Sequence, residues 1–215
     1  MKIKKSLFLY IFLGCFICAC VSAFAANTNT DKTADDSYTE ETKDSFEPFY
    51  VYKDFKSSDN HYLPSGWMGD VKKINMDLAC TDNTYEEGSH CIKLSYASDG
   101  SQKWAGIYWQ NPENNWGNKK GGFDLTGAKK LTFYARGAQG YERISEVKIG
   151  GIGGEYPDTA KEELKRIKLS NKWKKYTIDL SKADLSYISG GFCIVFSSAD
   201  NPKGCTIYLD EIRYE

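Results

Sequence analysis

Histidine is scarce in this sequence of 215 residues, which contains only His61 and His90, in separate predicted loops. The catalytic motifs Gly-x-Ser-x-Gly and His-Glu-x-x-His do not occur, and neither does a P-loop. No Cys-x-x-Cys pair follows residue 25, so there is little from which to build a zinc site. These absences argue against metallohydrolases, serine hydrolases and P-loop nucleotide-binding enzymes.

An excess of positive charge is also missing. Residues 48–215 carry 23 basic and 22 acidic side chains, a net charge of +1. A nearly neutral domain has no general attraction for the phosphates of nucleic acid or for an anionic membrane. Residues 26–47 hold seven acidic side chains, two lysines and few apolar residues, so we expect a disordered acidic linker there.

The long apolar run is confined to the N-terminus. Three lysines within the first five residues precede an apolar stretch at residues 7–21, and Ala23-Phe24-Ala25 forms a cleavage site. This pattern predicts a signal peptide over residues 1–25 and hence a secreted, cell-surface or periplasmic protein. Weaker lipobox patterns at Cys15 and Cys20 offer an alternative, in which a lipid anchor would attach the protein to a membrane.

Four cysteines follow the signal peptide, at positions 80, 91, 193 and 205. An even number of cysteines in an exported chain is typical of disulfides, and four cysteines allow three pairings. The spacing favours Cys80–Cys91 and Cys193–Cys205, each of which would close a short loop.

Short β-type segments separated by turn residues repeat from residue 48 to the C-terminus, and tyrosine, phenylalanine and glycine are abundant. Only residues 159–165 and 182–188 have a helical pattern, and both segments are short. The pattern predicts an all-β domain over residues 48–215, a two-sheet antiparallel β-sandwich of jelly-roll type. The predicted strands are 49–55, 66–70, 74–80, 91–97, 104–110, 131–136, 147–152, 164–169, 173–180, 192–196 and 206–214.

Three of the five tryptophans lie within residues 104–117, where a predicted strand runs into a polar loop. Alternation along the strand places Trp104 and Tyr108 on one face and Ile107 and Trp109 on the other. Aromatic rings stack on the apolar faces of pyranose sugars, and neighbouring amides and carboxylates bind the hydroxyls. The segment therefore predicts a glycan site, with packing in the core as the alternative for each ring.

Five residues of this segment are candidate ligand contacts. Because Ile107 is a natural core residue, Trp104 and Tyr108 form the better platform, and Trp109 is a contact whose alternative role is core packing. Asn115 and Trp116 follow in the polar loop, where Trp116 has little structural reason to be aromatic. Trp67 and Trp173 are assigned to packing.

Two further candidate contacts lie outside this segment. Arg136 ends a predicted strand, and its guanidinium could bind vicinal hydroxyls or a uronate carboxylate. Its alternative role is a salt bridge with Glu142 or Glu146. Tyr156 lies in a glycine-rich loop that allows close approach of the backbone to a ligand, or that simply forms a turn.

The domain resembles the galactose-binding-like jelly-roll carbohydrate-binding modules of bacterial exported proteins. Five stretches carry the resemblance: 64–70 (PSGWMGD), 104–117 (WAGIYWQNPENNWG), 124–137 (DLTGAKKLTFYARG), 173–180 (WKKYTIDL) and 207–212 (IYLDEI). The resemblance implies a non-catalytic module with a glycan on its concave face or loop rim and a structural calcium ion near the chain ends. The sequence departs from the common pattern because no catalytic domain accompanies the module.

A calcium site would use Asp54 and Asp210, together with backbone carbonyls around residues 88–89, because calcium prefers oxygen ligands. The alternative for these aspartates is ordinary charge on edge strands.

The sequence thus predicts a non-enzymatic, monomeric module that binds a polysaccharide or glycan and no nucleic acid. One alternative is a protein-binding or structural surface domain whose aromatic residues are core. Another is a small glycoside hydrolase or lyase, because acidic residues are plentiful and an opposed carboxylate pair would suffice.

Overall fold

The computed structural model describes residues 46–82, 84–85 and 90–215. The predicted signal peptide and all but the last two residues of the predicted linker lie outside the described residues. None of the helices found in the described part has the length and apolar character needed to span a membrane.

Within the described residues the domain consists of eleven strands and one 3-10 turn, Val71–Lys73. The strands are β1 Phe49–Tyr52, β2 Leu63–Gly69, β3 Ile74–Cys80, β4 Cys91–Tyr96, β5 Trp104–Gln110, β6 Lys130–Gly137, β7 Arg143–Gly150, β8 Lys161–Lys168, β9 Lys174–Asp179, β10 Gly190–Ser197 and β11 Cys205–Tyr214.

The strands form two antiparallel sheets, as predicted. Sheet A has the order β3-β4-β11-β6-β9, and β1 pairs with the C-terminal part of β11, beyond the part that pairs with β4. Sheet B has the order β2-β5-β10-β7-β8. The core lies between the sheets, because alternate residues of each strand point inward. In β5 these residues are Ala105, Ile107 and Trp109, each at most 1% exposed, and the Trp109 ring meets Phe192 of β10 at 5.4 Å.

Neither of the two segments with a helical pattern, 159–165 and 182–188, is a helix in the structure, and the predicted strand 164–169 overlaps β8. Residues 161–168 form β8, which pairs with β7 from Gly150↔Lys161 to Arg143↔Lys168. Its charged residues belong to the solvent side of an edge strand, where lysines discourage pairing with another chain. Residues 182–188 form turns and bends rather than a helix.

The structure corrects one of the two predicted disulfides. Cys193 points outward from β10 of sheet B and packs with Tyr108 and Ile152, whereas Cys205 begins β11 of sheet A and packs against the core between the sheets. Sheet B therefore separates the two thiols. Cys80 and Cys91 are directly opposite each other in the β3–β4 pair. All four cysteines are thiols in the structure, and the Cys80–Cys91 disulfide stays a prediction.

Candidate functional site

The outer surface of sheet B holds several of the aromatic residues that the sequence singled out. We use the name sheet B face for its outward residues, which are Met68, Trp104, Gly106, Tyr108, Glu146, Lys148, Lys161, Glu163, Lys165, Cys193, Val195 and Ser197. Gly106 lies in the middle, and a Cβ built there would be 3.1 Å from Met68 and 3.1 Å from Val195. These two apolar side chains therefore close over the glycine and form the floor between Trp104 and Tyr108.

Trp104 begins β5 and is half-buried. Gly69 of the neighbouring strand lies against it, since a Cβ at Gly69 would be 3.0 Å from Cδ2 of the Trp104 ring. Gly69 also has a φ of +68°, a conformation that favours glycine. The Asp70 N–H donates to the carbonyl of Trp104 at 2.8 Å. Trp104 is thus fixed against edge strand β2 while part of its ring stays accessible.

Tyr108 faces outward as predicted, but it is only 4% exposed. The Trp116 ring stands edge-on to it at 5.9 Å, and Lys148 Nζ lies 5.2 Å from its ring centroid. Its hydroxyl donates to the carbonyl of Gly150 at 3.1 Å, and burial raises the pKa of the phenol. Tyr108 therefore packs against Trp116, and its prediction as an open ligand platform is wrong.

Trp116 is 44% exposed in the loop between β5 and β6. Asn115 organises this loop: its Oδ1 accepts from Gly117 N–H at 3.0 Å, and its Nδ2 donates to the carbonyls of Lys119 at 3.1 Å and Asn111 at 3.3 Å. Asn115 is fully buried, so its prediction as a ligand contact is wrong. Its buried amide instead holds the turn that presents Trp116.

Tyr156 lies in a second loop that docks on the first. Its N–H donates to the carbonyl of Gly117 at 2.9 Å, which brings it close to the chain around Trp116. Lys120 Nζ lies 5.8 Å from the Tyr156 ring centroid, and the ring is partly exposed. The sequence placed Trp116 and Tyr156 in separate segments, and the structure brings their loops together.

Charged side chains cover the β7–β8 part of the sheet B face. Lys148 pairs with Glu146 at 3.0 Å, and Glu163 pairs with Lys161 at 3.0 Å and also with Lys165. Hydrogen bonds from Lys165 and Lys161 lower the pKa of Glu163, which keeps its carboxylate ionised. These charged side chains supply hydrogen-bond donors and acceptors beside the apolar side chains of Met68 and Val195.

Two other predicted contacts lie elsewhere. Trp109 is 1% exposed inside the core, so its inclusion among the ligand contacts is wrong. Arg136 belongs to β6 of sheet A, on the other side of the sandwich from Trp104. Its guanidinium lies 5.4 Å from the centroid of the Tyr208 ring, so it does not share a site with Trp104 and Trp116.

Trp67, which the sequence analysis assigned to packing, is 38% exposed on edge strand β2. Leu63 of the same strand is 54% exposed. Pro64, Gly66 and Gly69 mark β2 as an edge strand, because proline and glycine are rare in central strands. That signal could have identified Trp67 as a surface residue.

The two aspartates predicted to bind calcium have different environments. Asp210 is 2% exposed, and its Oδ2 has no hydrogen-bond partner in the described part of the chain. Burial raises the pKa of Asp210 to about 7, against the effect of hydrogen bonds from the backbone of Glu211 and Tyr85. Asp54 Oδ1 instead accepts from the backbone N–H of His90 at 3.0 Å.

A calcium ion would satisfy the buried oxygen of Asp210. However, the described residues contain no group of three histidine, cysteine or acidic side chains suited to a metal ion. The carbonyls predicted at residues 88–89 lie outside the described residues.

Comparison with solved structures shows the same fold in carbohydrate-binding modules. The crystal structure of a family 30 carbohydrate binding module has a TM-score of 0.55 at 12% identity, over 78% of this chain and 87% of that chain. The family 30 module of a cellulosomal cellulase of Clostridium thermocellum has a TM-score of 0.52 at 14% identity, over 79% and 97%. At such identities the likeness establishes the fold alone.

A family 11 module of Clostridium thermocellum, solved with a β-1,3-1,4-mixed-linked tetrasaccharide, has a TM-score of 0.43 at 15% identity, over 72% of this chain and 96% of that chain. This likeness is too weak to carry an argument. No family model and no curated protein matches the sequence.

Proposed function

We propose that the domain is a non-catalytic carbohydrate-binding module and that a polysaccharide or glycan lies along its sheet B face. The observation that carries the proposal is the placement of two accessible tryptophans, Trp104 and Trp116, on the same side of the sandwich. The carbohydrate-binding-module fold supports it, as does the partly exposed Tyr156 beside the Trp116 loop.

The spacing of the aromatic rings favours an extended ligand. Trp104 and Tyr108 are four residues apart on β5, which corresponds to about 14 Å along a strand. Trp116 stands against Tyr108, so the two accessible tryptophans mark the ends of a surface longer than one sugar ring. The ligand would be an internal segment of a chain, with its hydroxyls bound by Glu146, Lys148 and Glu163.

The carboxylates of this face support binding rather than hydrolysis. A glycosidase needs a general acid whose pKa is raised. The pKa of Glu163 is lowered by its lysine partners, and Glu146 is paired with Lys148. Among the described carboxyl groups, a raised pKa is found at Asp210, which belongs to sheet A.

Exposed apolar residues favour a second candidate function, the binding of a protein. Leu63 and Trp67 lie on β2, whose outer edge is unpaired within the described residues. An extended segment of a partner could add a strand there. In that case Trp67→Ala would weaken binding to the partner, and Trp116→Ala would not.

We also propose that the protein is exported as a monomer and that Asp210 anchors a structural calcium ion. Asp54 would contribute only if its carboxylate turned away from His90. Further oxygen ligands would have to come from outside the described residues.

The test of glycan binding is a panel of soluble and insoluble polysaccharides assayed with the wild-type protein and the variants Trp104→Ala, Trp116→Ala and Trp67→Ala. The first two variants should weaken binding about tenfold or more, and Trp67→Ala should bind normally. No reducing sugar should be released. Binding that Trp67→Ala abolishes and the other two retain would move the site to the edge of β2.

A further inference from the structure

We infer that one end of sheet A carries a second saccharide site, built around Tyr141 and suited to sugars that bear a carboxylate. A cleft of about 510 Å³ opens there, between the ends of β4 and β6 and the beginnings of β3 and β11. A cleft of about 370 Å³ adjoins it, and both are bordered by Tyr141 and Lys203. Tyr141 is 63% exposed, so an accessible aromatic ring stands where the two clefts meet.

The turn that presents Tyr141 is held by a buried carboxylate. Glu142 is 2% exposed and accepts hydrogen bonds from the backbone N–H groups of Gln139 at 2.7 Å, Gly140 at 2.7 Å and Tyr141 at 3.0 Å. Burying a carboxylate is costly unless such charge-assisted bonds compensate it. A side chain at Gly137 would collide with this carboxylate. The ring is thus presented by a rigid turn, which lowers the entropy lost when a sugar stacks on it.

Polar side chains form a row along the larger cleft. Asn75 of β3 pairs with Ser95 of β4, and Ser95 pairs with Thr206 of β11. The hydroxyls of Ser95 and Thr206 lie 3.1 Å apart. Gln139 adds an exposed amide at the other side. Amides and hydroxyls in one row beside an exposed ring are the groups that a sugar requires.

The charges of the larger cleft favour an anionic sugar. Lys72 and Lys203 are exposed and form no ion pair with the described residues, whereas Lys73 pairs with Asp99 at 2.9 Å. The one acidic side chain that lines this cleft is Glu142, and its carboxylate is already occupied by the three N–H groups. Asp200 lines the adjoining cleft, but its carboxylate accepts hydrogen bonds from the hydroxyls of Ser145 at 2.6 Å and Ser197 at 3.1 Å and lies 3.6 Å from the guanidinium of Arg166. Both carboxylates thus have partners of their own, and the two ammonium groups remain available to a ligand. A uronic acid residue satisfies both the stacking and the charge requirements.

This site is separate from the sheet B face. Its lining strands belong to sheet A, whereas Trp104 lies in sheet B. One molecule could therefore bind two glycan segments at once. Its affinity for a polysaccharide surface that contains both kinds of segment would then exceed the affinity of either site alone.

The test uses the full secreted chain and three acidic oligosaccharides, of galacturonate, glucuronate and mannuronate, each paired with its methyl ester. Calorimetry or NMR titration should show at least one acid form binding about tenfold or more tightly than its ester. Added salt should weaken the acid form more than the ester. Tyr141→Ala should lose binding of both forms, and Tyr141→Phe should retain it.

The double variant Lys72→Ala/Lys203→Ala should bind the acid and the ester equally. Lys168→Ala, which removes an exposed lysine of β8 outside the cleft, should behave as wild type. Trp116→Ala should leave uronate binding intact, so failure of the sheet B site and failure of this site are distinguishable. The inference is overturned if none of the three acids binds, if Tyr141→Ala binds normally, or if Trp116→Ala removes uronate binding.

Discussion

The Trp116 ring stands edge-on to the Tyr108 ring, with centroids 5.9 Å apart and planes at 86°. Trp116 is 44% exposed and Tyr108 only 4%, so one ring of the pair supports and the other faces solvent. Such a contact contributes about 0.5–1.5 kcal/mol beyond simple burial. The orientation of Trp116 is therefore largely set before any ligand arrives.

The first prediction concerns the two accessible tryptophans. Trp104→Ala and Trp116→Ala should each weaken glycan binding by about 1–3 kcal/mol, because each removes the burial of one large apolar side chain on the ligand. The melting temperature should change little. Isothermal calorimetry and thermal unfolding on the same samples measure both quantities.

Trp109→Ala is the matched control, since the same residue type is lost from the core. It should destabilise the fold by about 3–5 kcal/mol through the cavity it leaves. If Trp104→Ala and Trp116→Ala melt as low as Trp109→Ala, these rings are structural and the binding surface is wrongly assigned.

Asn115→Ala should disturb both the loop and the site. The substitution leaves buried backbone groups around residues 111–119 without partners, which should cost about 1–3 kcal/mol of stability. Glycan affinity should fall as well, because Trp116 loses its fixed position. Asn171→Ala, at an exposed amide in the β8–β9 turn, is the control and should affect neither quantity. Normal affinity in Asn115→Ala would show that the loop does not need this amide to present Trp116.

The cysteines should behave as two classes. Cys80 and Cys91 face each other in the β3–β4 pair, so non-reducing peptide mapping of protein prepared under oxidising conditions should find them linked. The disulfide should stabilise the fold by roughly 3 kcal/mol, as expected for a short loop.

Cys193 and Cys205 should remain thiols, because Cys193 points outward from sheet B while Cys205 packs against the core on the other side of that sheet. Burial raises the pKa of each to about 12, so both should react slowly with alkylating reagents in the native protein. Cys193 is fully buried and should react only after unfolding, whereas Cys205 is partly exposed. A Cys193–Cys205 link, or rapid labelling of Cys193 in the native protein, would contradict the structure.

The sequence was sufficient to predict the two-sheet fold because apolar and polar residues alternate clearly along most strands. The predicted segments 74–80 and 104–110 coincide with β3 and β5, and the division of Trp104 from Trp109 by face is correct. The same argument failed at 159–165, because β8 is an edge strand with too few buried residues to show a period of two.

The solvent exposure of the side chains in the site was harder to predict than the face of the sheet on which each side chain lies. Alternation places Tyr108 outward, but Trp116 from the loop after the same strand and Lys148 from β7 then cover it. Asn115 and Trp116 are neighbours in a polar loop, yet one is fully buried and the other exposed. Such differences depend on how the loop folds, and the alternation of residues along a strand carries no information about a loop's conformation.

Calcium should stabilise the domain through Asp210. The buried carboxyl has an oxygen without a partner among the described residues, and a bound cation would satisfy it. A metal concentration of about a hundredfold above its dissociation constant should add about 2.7 kcal/mol, or about 5–10 °C in melting temperature for a domain of this size. Thermal unfolding with calcium and with a chelator measures the difference.

Asp210→Asn separates the role of calcium from that of packing. The amide keeps the shape of the side chain and removes the buried charge, so the metal-free variant should be at least as stable as the metal-free wild type. Its response to calcium should disappear. Asp124→Asn, at an exposed turn before β6, removes a charge of the same kind and should keep the full response. If calcium raises the melting temperature of Asp210→Asn as much as that of the wild type, the ion binds elsewhere and Asp210 is only a buried acid.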